Sequence, residues 1–461
     1  MTSQLASRFY LSLKALHASR SFEAGLNASP TRLIYVGHTD REVLRLYLPK
    51  EDKGVKYTAL SHRWGDYPPT KEDPRFCTTD GNLNARLNGF SLSELPKTFR
   101  DAVRVTRELG IEYLWIDSLC IIQWNADDWE CEAGRMEDVF ASAYCAIAAT
   151  SAVDSNAGFL ARNRSAEYVR VQDAAGNQVY ICTHMDDFEK DVEQAGLNKR
   201  AWVLQERVLA KRTIHFSANQ TYWECGEGVY CENLTMMKRS GKGRTVEFIH
   251  FLFENYSKRG LTKDTDRWVA ASGLEARIAR ALPGKNSWYG IFQEHLHRNL
   301  LWQASDSNTK RIVYDEDRQV PSWSWMACSG GIKFMEVAIG SVSWVNALAF
   351  NAERDSAALI ADVGKFQHVT LKPNGNRYTV SNFFGRAKGW IQYDMEGGES
   401  GRRDRCVVIG RTEEEKKNIS KKHYYILVVV PTREDGEYTR VGVGMVRTGC
   451  VKRWRASVRI V

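Results

Sequence analysis

The sequence lacks the cysteine patterns of disulfide-stabilised and zinc-binding proteins. Its ten cysteines, spread over 461 residues, include no CxxC pair and form no regular framework. No histidine pair at zinc-finger spacing lies near Cys225 and Cys231. We therefore expect free thiols, a reducing compartment such as the cytoplasm, and no structural metal.

Long apolar runs and the common nucleotide-binding loops are also missing. The longest apolar run near the C-terminus covers residues 424–430, which is far too short to cross a bilayer. The sequence contains no Walker loop, no GxGxxG loop in a useful context and no GxSxG elbow. We expect no membrane span. None of these motifs identifies residues that could bind a ligand.

The composition is that of an ordinary globular protein. Hydrophobic residues make up 43% of the chain and charged residues 26%, and the 14 tryptophans suggest large aromatic cores. The formal net charge of +8 is mild for this length, and the basic residues are scattered among acidic ones. The charge is compatible with an anionic ligand such as a nucleotide, but we expect no nucleic-acid partner.

Changes in composition and in predicted secondary structure divide the chain into four parts. Residues 1–50 form an N-terminal lead, 51–226 an α/β domain, 227–320 a mainly helical region and 321–461 a β-rich region. Residues 1–22 lack acidic residues, and their apolar spacing predicts a helix, with a transit peptide as the alternative.

Strands and helices alternate between residues 57 and 149. The predicted elements are a strand at 57–60, a helix between Pro96 and Gly110, a strand at 111–116, a helix capped by Asp127 or Asp128, and a strand at 144–149. Beyond them we predict a helix at 201–209 and a hairpin at 213–217 and 220–225. The alternation is typical of a parallel sheet covered by helices on both faces.

Several ordered blocks carry a resemblance to a known family. They are YTALSHRWG (57–65), LPKTFRDAVRVTRELGIEYLWIDSLCIIQ (95–123), DDWECEAGRMEDVFASA (127–143), GFLARN (158–163), RAWVLQERVLAKRTIHF (200–216) and YWEC (222–225). In order and spacing they resemble the fungal heterokaryon-incompatibility (HET) domain, which would then occupy residues 51–226. Two later segments, 256–268 and 321–325, resemble stretches that follow this domain in many fungal members.

The resemblance implies a fold and a function. The HET domain is regarded as a distant relative of the TIR fold, a flavodoxin-like parallel sheet. Family members trigger programmed cell death when genetically different fungal cells fuse, and some TIR relatives cleave NAD at the nicotinamide–ribose bond. The expectation is therefore an effector of allorecognition that acts through self-association or a signalling partner, with NAD as a candidate substrate and no cofactor assigned.

Polar clusters follow two of the predicted strands. In an open parallel sheet, ligands bind outside the carboxyl ends of the strands, so both clusters should face one crevice. Arg63 could hold a phosphate or carboxylate and Ser118 could donate a hydrogen bond, or both could serve the local structure. The ligand-binding candidates are Ser61, His62, Arg63, Trp64, Asp117 and Arg135.

Glu132 and Ser118 are the candidate catalytic residues. Glu132 follows Trp129 by three residues, at the margin of an apolar helix stripe, where a carboxylate could lie at the lip of the crevice. A fixed carboxylate suits the oxocarbenium-like state of glycosidic cleavage. The catalytic glutamate of NAD-cleaving TIR domains also follows a tryptophan on a helix, at one residue greater spacing. As the alternative, Glu132 and Arg135 form an ordinary helix ion pair.

Two further features have structural interpretations. The block from Trp202 to Arg207 is expected to pack and hydrogen-bond its segment onto the sheet, with catalysis as the alternative. Cys120 is expected to be a core cysteine, because a thiolate nucleophile would need a partner such as His62 brought close by folding. Three functions stay open: a signalling scaffold, a nucleotide hydrolase, and an enzyme recruited to small-molecule chemistry.

Overall fold

The computed structural model describes most of the chain in two compact units, residues 1–242 and 243–461. The described residues are 29–38, 42–49, 54–161, 168–172, 176, 178–182, 187–232, 236–239, 245–283, 286–306, 309–315, 319–338, 340–345, 348–350, 358–395, 404–413 and 422–461. The helix predicted for residues 1–22 lies outside them. The four-part division with boundaries after residues 50, 226 and 320 stays a prediction.

The first unit mixes strands and helices. Its strands are β1 (Leu33–Tyr35), β2 (Val43–Tyr47), β3 (Tyr57–Ser61), β4 (Phe90–Ser91), β5 (Tyr113–Trp115), β6 (Cys145–Ala148), β7 (Tyr168–Gln172), β8 (Gln178–Cys182), β9 (Arg212–Phe216), β10 (Thr221–Cys225), β11 (Gly228–Tyr230) and β12 (Met236–Arg239). Its helices are α1 (Leu83–Asn88), α2 (Lys97–Glu108), α3 (Asp117–Cys120), α4 (Ala126–Ser142) and α5 (Ala201–Leu209). A π-helical turn at Glu189–Glu193 and a 3-10 turn at Leu197–Lys199 precede α5.

Ten strands of this unit form one sheet, in the order β12-β11-β10-β9-β6-β3-β5-β1-β2-β4. The central strands β5, β3, β6 and β9 are parallel to their neighbours within that group. Antiparallel strands extend the sheet on both sides. The predicted α/β class with a parallel sheet is confirmed. After β5 the chain crosses back over β3 to form β6, so its direction of travel across the sheet reverses there.

Two consecutive residues of β3 show that helices cover both faces. The Tyr57 hydroxyl donates to the carbonyl of Val139 on α4 at 2.6 Å. The next side chain, Thr58, hydrogen-bonds Thr106 on α2 at 2.7 Å. Since successive strand residues point to opposite faces, α2 and α4 lie on opposite sides of the sheet.

The helix boundaries confirm most of the predicted signals and correct one. Pro96 is the N-cap of α2, and Gly110, at φ 71°, follows its end. The cap of α4 is not Asp127 or Asp128 but Asn125, whose side chain accepts from the amide of Asp128 at 3.0 Å. An asparagine at the N-cap satisfies the same free amide that an aspartate would.

The strand predicted at 111–116 is shorter than expected. Only Tyr113–Trp115 forms β5, and the chain turns into the short helix α3 at Asp117. The Asp117 carboxylate accepts from the amide of Ser118 at 2.6 Å, which satisfies one of the free amides in the first turn of α3.

Within its described residues, the second unit combines three α-helices with a β-rich region, as the sequence predicts. Its helices are α6 (Thr245–Ser257), α7 (Val269–Ala281) and α8 (Leu296–Asn299). Its strands are β13 (Ser287–Trp288), β14 (Ile291–Phe292), β15 (Trp302–Ala304), β16 (Ile332–Phe334), β17 (Val342–Trp344), β18 (Ala349–Phe350), β19 (Leu359–Phe366), β20 (Val369–Asn374), β21 (Arg377–Asn382), β22 (Ala387–Tyr393), β23 (Arg405–Thr412), β24 (His423–Pro431), β25 (Glu437–Arg447) and β26 (Val451–Ile460).

Strands β19, β23, β24, β25 and β26 close into a ring. Each pairs with the next, and β26 pairs back to β19. The β25–β26 contact is parallel and the others are antiparallel. Buried side chains such as Val408, Ile426 and Val446 form one cluster in this region. Within the described ranges, no helix is both long and apolar enough to cross a bilayer.

A buried ion pair crosses the core of the second unit. The Arg440 guanidinium contacts Asp394 at 3.0 and 3.1 Å and donates to the carbonyls of Leu300 and Trp302 at 2.6 Å each. It also lies over the Trp302 ring, 3.7 Å from the centroid. Because both charges are buried, each depends on the other.

Removing one partner of this pair should destabilise the second unit strongly. We expect Asp394→Ala to lower the free energy of unfolding by about 3–5 kcal/mol, since it leaves the Arg440 charge buried without its counter-ion. The control is Glu437→Ala, which removes a looser 3.7 Å pair with the part-exposed Arg459 and should cost below about 1 kcal/mol. Urea unfolding followed by circular dichroism measures both, and equal losses would contradict the assignment.

Candidate functional site

A small polar cavity lies where β3, β6 and β9 meet helix α5. Its volume is about 10 Å³, enough for about one water molecule. Its lining is mixed, with apolar residues from β6 and α5 and polar residues from β3, β9, α5 and the turn before α5. The lining residues are Ser61, Ala146, Ala148, Asn198, Val203, Glu206, Arg207, Thr213 and His215.

Four polar side chains bring unpartnered atoms to this cavity. Within the described part of the chain, Ser61 Oγ, Asn198 Oδ1, Glu206 Oε2 and His215 Nδ1 are buried without a well-formed hydrogen bond, although the Ser61 hydroxyl lies close enough to Glu206 to interact with its carboxyl. Buried polar atoms are nearly always satisfied, so four together are unusual. Such a cluster is typical of a site that binds water or a polar ligand.

Glu206 is the acidic group of this cluster. It lies on α5 and is 9% exposed. Burial raises the pKa of the Glu206 carboxyl to about 7, while the nearby Ser61 hydroxyl and the charge of Arg200 act in the opposite direction. A carboxyl with this pKa is partly protonated near neutral pH and can take up or release a proton there.

A part-buried ion pair next to Glu206 fixes the orientation of α5. Arg207 contacts both oxygens of Glu224 on β10, at 2.6 and 2.9 Å. The same carboxylate lies 2.9 Å from His215 Nε2 on β9. Although burial alone would raise it, hydrogen bonds from His215 and Arg207 hold the pKa of Glu224 well below its usual range. Burial lowers the pKa of His215, which leaves its ring neutral near pH 7.

His62 lies one residue beyond β3 and is also buried. Its ring stacks edge-on against Phe99 of α2, with centroids 4.9 Å apart. Burial lowers the pKa of His62 to about 4, against the opposing effect of Asp117, whose Oδ1 lies 3.8 Å from Nδ1. The other Asp117 oxygen accepts from Trp64 Nε1 at 2.9 Å. The two polar clusters predicted to meet at the carboxyl ends of β3 and β5 are thus in contact.

The other sequence candidates lie in varied surroundings. Arg63 forms a surface pair with Asp66 at 3.7 Å. Ser118 is fully buried, and its hydroxyl has no partner within the described ranges. Cys120 is buried as well, and burial raises the pKa of its thiol to about 12, as suits a core cysteine rather than a nucleophile.

Glu132 is buried on α4 and faces the N-terminal segment. It is 2% exposed, and its Oε1 lies 3.8 Å from Arg32 Nη2. Arg135 donates to Thr31 Oγ1 at 2.5 Å and to the carbonyl of Ser29 at 2.8 Å. Neither residue lines the cavity at Glu206. Their predicted roles in catalysis and binding stay predictions.

A larger open cleft lies at the N-terminus of α2. Its volume is about 470 Å³, and its lining carries the positive charges of Arg75, Lys97 and Arg100 and the negative charge of Glu94. Since α2 runs back from β3 to β5, its N-terminus lies at the carboxyl edge of the sheet. Phe76, which also lines the cleft, stacks on Phe99, and Phe99 stacks on His62. Stacked rings thus connect the cleft to the residues at the end of β3.

The chain segment after β6 is held against the same helix end. Asp101 Oδ2 accepts from the amides of Phe159 and Leu160 at 2.8 and 3.1 Å and contacts Lys97 at 3.1 Å. Gly158, at φ 72°, lies so close that an added Cβ would be 2.1 Å from Lys97 Nζ. The positive φ would strain any other residue, so this position favours glycine.

The contacts between α2 and residues 158–160 join blocks of sequence that are far apart along the chain. Both blocks lie within the span that matches one known family. Residues 57–206 match the family model described as heterokaryon incompatibility protein (HET). The chain carries a HET domain. No curated protein and no solved structure matches it significantly. The matched span runs from the first residue of β3 to Glu206, so it includes the strand ends and most of the cavity lining of the HET domain.

From the sequence, the block from Trp202 to Arg207, which includes Glu206, is expected to pack and hydrogen-bond its segment onto the sheet, with catalysis as the alternative. The candidate catalytic residues taken from the sequence do not include Glu206. A signal was present, because Glu206 follows Trp202 by four residues on a helix. That is one more than the spacing from Trp129 to Glu132, and it equals the spacing of the TIR glutamate. Glu206, but not Glu132, lines the cavity together with Ser61 and Ala148, the last residues of β3 and β6.

The described residues of the chain contain no cluster of three or more His, Cys, Asp or Glu side chains suited to a metal ion. In the described lining of the cavity, the buried groups without a well-formed hydrogen bond are one carboxyl, one imidazole, one amide and one hydroxyl. This set can bind sugar hydroxyls and exchange protons.

The raised pKa of Glu206 makes a test of its burial possible. The folded protein binds the Glu206 proton more tightly than the unfolded chain, so this group's contribution to stability falls as the pH rises from about 4.5 to about 7. The glutamine of Glu206→Gln does not titrate. As the pH rises from about 4.5 to about 8, the free energy of unfolding of this variant should therefore increase relative to that of the wild type, by up to about 3 kcal/mol.

Urea unfolding of the two proteins at several pH values gives this difference directly. His62 acts with the opposite sign, because its lowered pKa means that stability is lost as the pH falls from about 6.5 to about 4. Its contribution is common to both proteins and cancels in the comparison. Parallel stability curves would show that Glu206 is not buried as described.

Proposed function

We propose that this protein is an effector of heterokaryon incompatibility whose HET domain hydrolyses NAD at the nicotinamide–ribose bond. The observation that carries this proposal is the position of Glu206, a buried carboxyl that lines a cavity with Ser61 and Ala148, the last residues of β3 and β6. The HET match supports the incompatibility role. The chemistry rests on the position of Glu206 and on the resemblance to NAD-cleaving TIR domains.

The strand order supports a ligand site at this place. Numbered along the chain, the parallel strands β3, β5, β6 and β9 lie side by side in the order 2-1-3-4. Flavodoxin-like sheets share this order, and their ligands bind where the chain reverses, between the first and third strands. In this protein the reversal lies between β3 and β6, and both strands contribute to the lining of the cavity.

The reaction breaks the bond between the anomeric carbon of ribose and the nicotinamide nitrogen. The bonding electrons leave with nicotinamide, water adds to the anomeric carbon, and one water proton is released. The ribose carries positive charge in the transition state, which the Glu206 carboxylate would stabilise. Ser61 would bind a ribose hydroxyl, and His215, oriented by Glu224, would accept the proton from water.

The cavity has to open for this chemistry. Its volume of about 10 Å³ is far below the several hundred that a nucleotide site needs. The segment before α5 supplies Asn198 to the cavity, and Arg200 donates to the His62 carbonyl at 2.7 Å. We propose that self-association or a partner displaces this segment. The open cleft with Arg75, Lys97 and Arg100, on the same edge, would then accept the diphosphate.

The closed cavity also supports a second candidate function. A HET domain that signals only by self-association needs no room for a nucleotide, and its buried polar groups would then serve a structural role. The two functions differ in whether nicotinamide is released.

NAD turnover tests the enzyme and its carboxylate together. Purified full-length protein, tested both dilute and at concentrations that allow self-association, should release nicotinamide and ADP-ribose. Glu206→Gln should reduce the rate at least about 100-fold, because the transition-state charge loses its counter-charge. Glu132→Gln is the matched comparison, a second buried glutamate on a helix of the same unit, and should keep the rate within a few-fold.

Two other outcomes of this NAD assay would support a different function or a different catalytic carboxylate. No nicotinamide from the wild type under either condition would support the scaffold. Turnover that survives Glu206→Gln but is lost in a folded Glu132→Gln would place the catalytic carboxylate at Glu132. Circular dichroism establishes that each variant is folded.

A further inference from the structure

Two neighbouring phenylalanines in the second unit are almost fully exposed. Phe383 and Phe384, in the turn between β21 and β22, are 88% and 82% exposed. Their rings lie 5.9 Å apart, nearly perpendicular to each other. A soluble protein usually buries phenylalanine, so two exposed side by side need an explanation. We call residues 383–386 the phenylalanine tip.

The turn itself holds the two rings outward. The amide of Gly385 donates to the Asn382 carbonyl at 2.9 Å, and the amide of Asn382 donates to the Arg386 carbonyl at 3.0 Å. The Asn382 side chain accepts from the amide of Arg386 at 2.9 Å. Gly385 has φ 72°, and an added Cβ would meet no atom within 4 Å. The tip is therefore a closed, well-bonded turn that projects into open space.

The surroundings of the tip are uniformly basic. Val369 pairs with Asn382, Gln367 donates to the Cys450 carbonyl at 3.0 Å, and Gly389 pairs with Val446. These contacts bring segments 365–369, 382–389 and 446–453 to one end of the sheet. None of the three contains an aspartate or a glutamate. Their lysines and arginines include Lys365, Arg386, Lys388, Arg447 and Lys452.

We propose that the phenylalanine tip docks this protein onto the surface of an anionic phospholipid bilayer, with both rings inserted at the interface and the surrounding lysines and arginines over the headgroups. A bilayer fits better than a protein partner, because two rings on a projecting turn offer far less area than the roughly 800 Å² per side of a stable protein interface. Shallow insertion of aromatic rings beside basic residues is how peripheral proteins hold a membrane.

Vesicle sedimentation tests this surface. Full-length protein should pellet with vesicles of phosphatidylcholine containing a quarter phosphatidylserine, and far less with pure phosphatidylcholine. The double variant Phe383→Ser/Phe384→Ser should bind at least about tenfold more weakly, since it loses two buried rings. The matched control is Phe248→Ser/Phe251→Ser, which removes two exposed phenylalanines, 51% and 59% exposed, from α6.

Charge is tested separately with single arginines. Arg386→Glu, at the tip, should weaken binding to the anionic vesicles at least about fivefold. Arg433→Glu replaces an exposed arginine in the turn between β24 and β25 and should leave binding unchanged. All four variants change exposed residues, and an unchanged thermal unfolding midpoint confirms their folding.

Three results would overturn this proposal. One is wild-type protein that stays in solution with the anionic vesicles at low salt. A second is binding that the tip variant and its control lose equally. The third is self-association in the absence of vesicles that disappears with Phe383→Ser/Phe384→Ser while vesicle binding is absent, which would identify a protein contact instead.

Discussion

The position of Glu206 depends on the ion pair of its neighbour Arg207. The guanidinium contacts both oxygens of Glu224, and the same carboxylate contacts His215 from β9. With Arg207 held toward β10, the rotation of α5 is fixed, and the adjacent Glu206 side chain turns toward the ends of β3 and β6. Three blocks of the sequence, RAWVLQER, RTIHF and YWEC, thus meet at a single carboxylate.

This arrangement explains how a carboxyl group remains buried without an ion pair. Arg207 lies beside Glu206, but Glu224 takes its hydrogen bonds, and Arg200 donates to the His62 carbonyl. Burial therefore dominates and raises the pKa of Glu206. A buried carboxyl without a counter-charge lowers the stability of the folded protein. Such groups are concentrated at functional sites.

The sequence predicts the α/β class, and among the residues that line the cavity it singles out Ser61 but not Asn198 or His215. The boundaries of α2 and the spacing of the parallel strands follow from local signals such as Pro96 and Gly110. The contact between Asp117 and His62 follows from strand polarity. That Glu206 reaches the cavity depends on the long-range Arg207–Glu224 pair, which no periodicity reveals. The parallel pairing of β25 with β26, which closes the ring of strands, is likewise not predictable, because both segments have the sequence pattern of ordinary strands.

The most direct measurement of the central claim is the pH dependence of kcat/KM for nicotinamide release, since it reports the pKa values of the free enzyme. If Glu206 acts as the anion from its buried position, the rate rises with pH through a midpoint near 7. A rate that is flat between about pH 5.5 and pH 8.5, or a midpoint near that of an ordinary carboxyl, would contradict the placement of the reaction at Glu206.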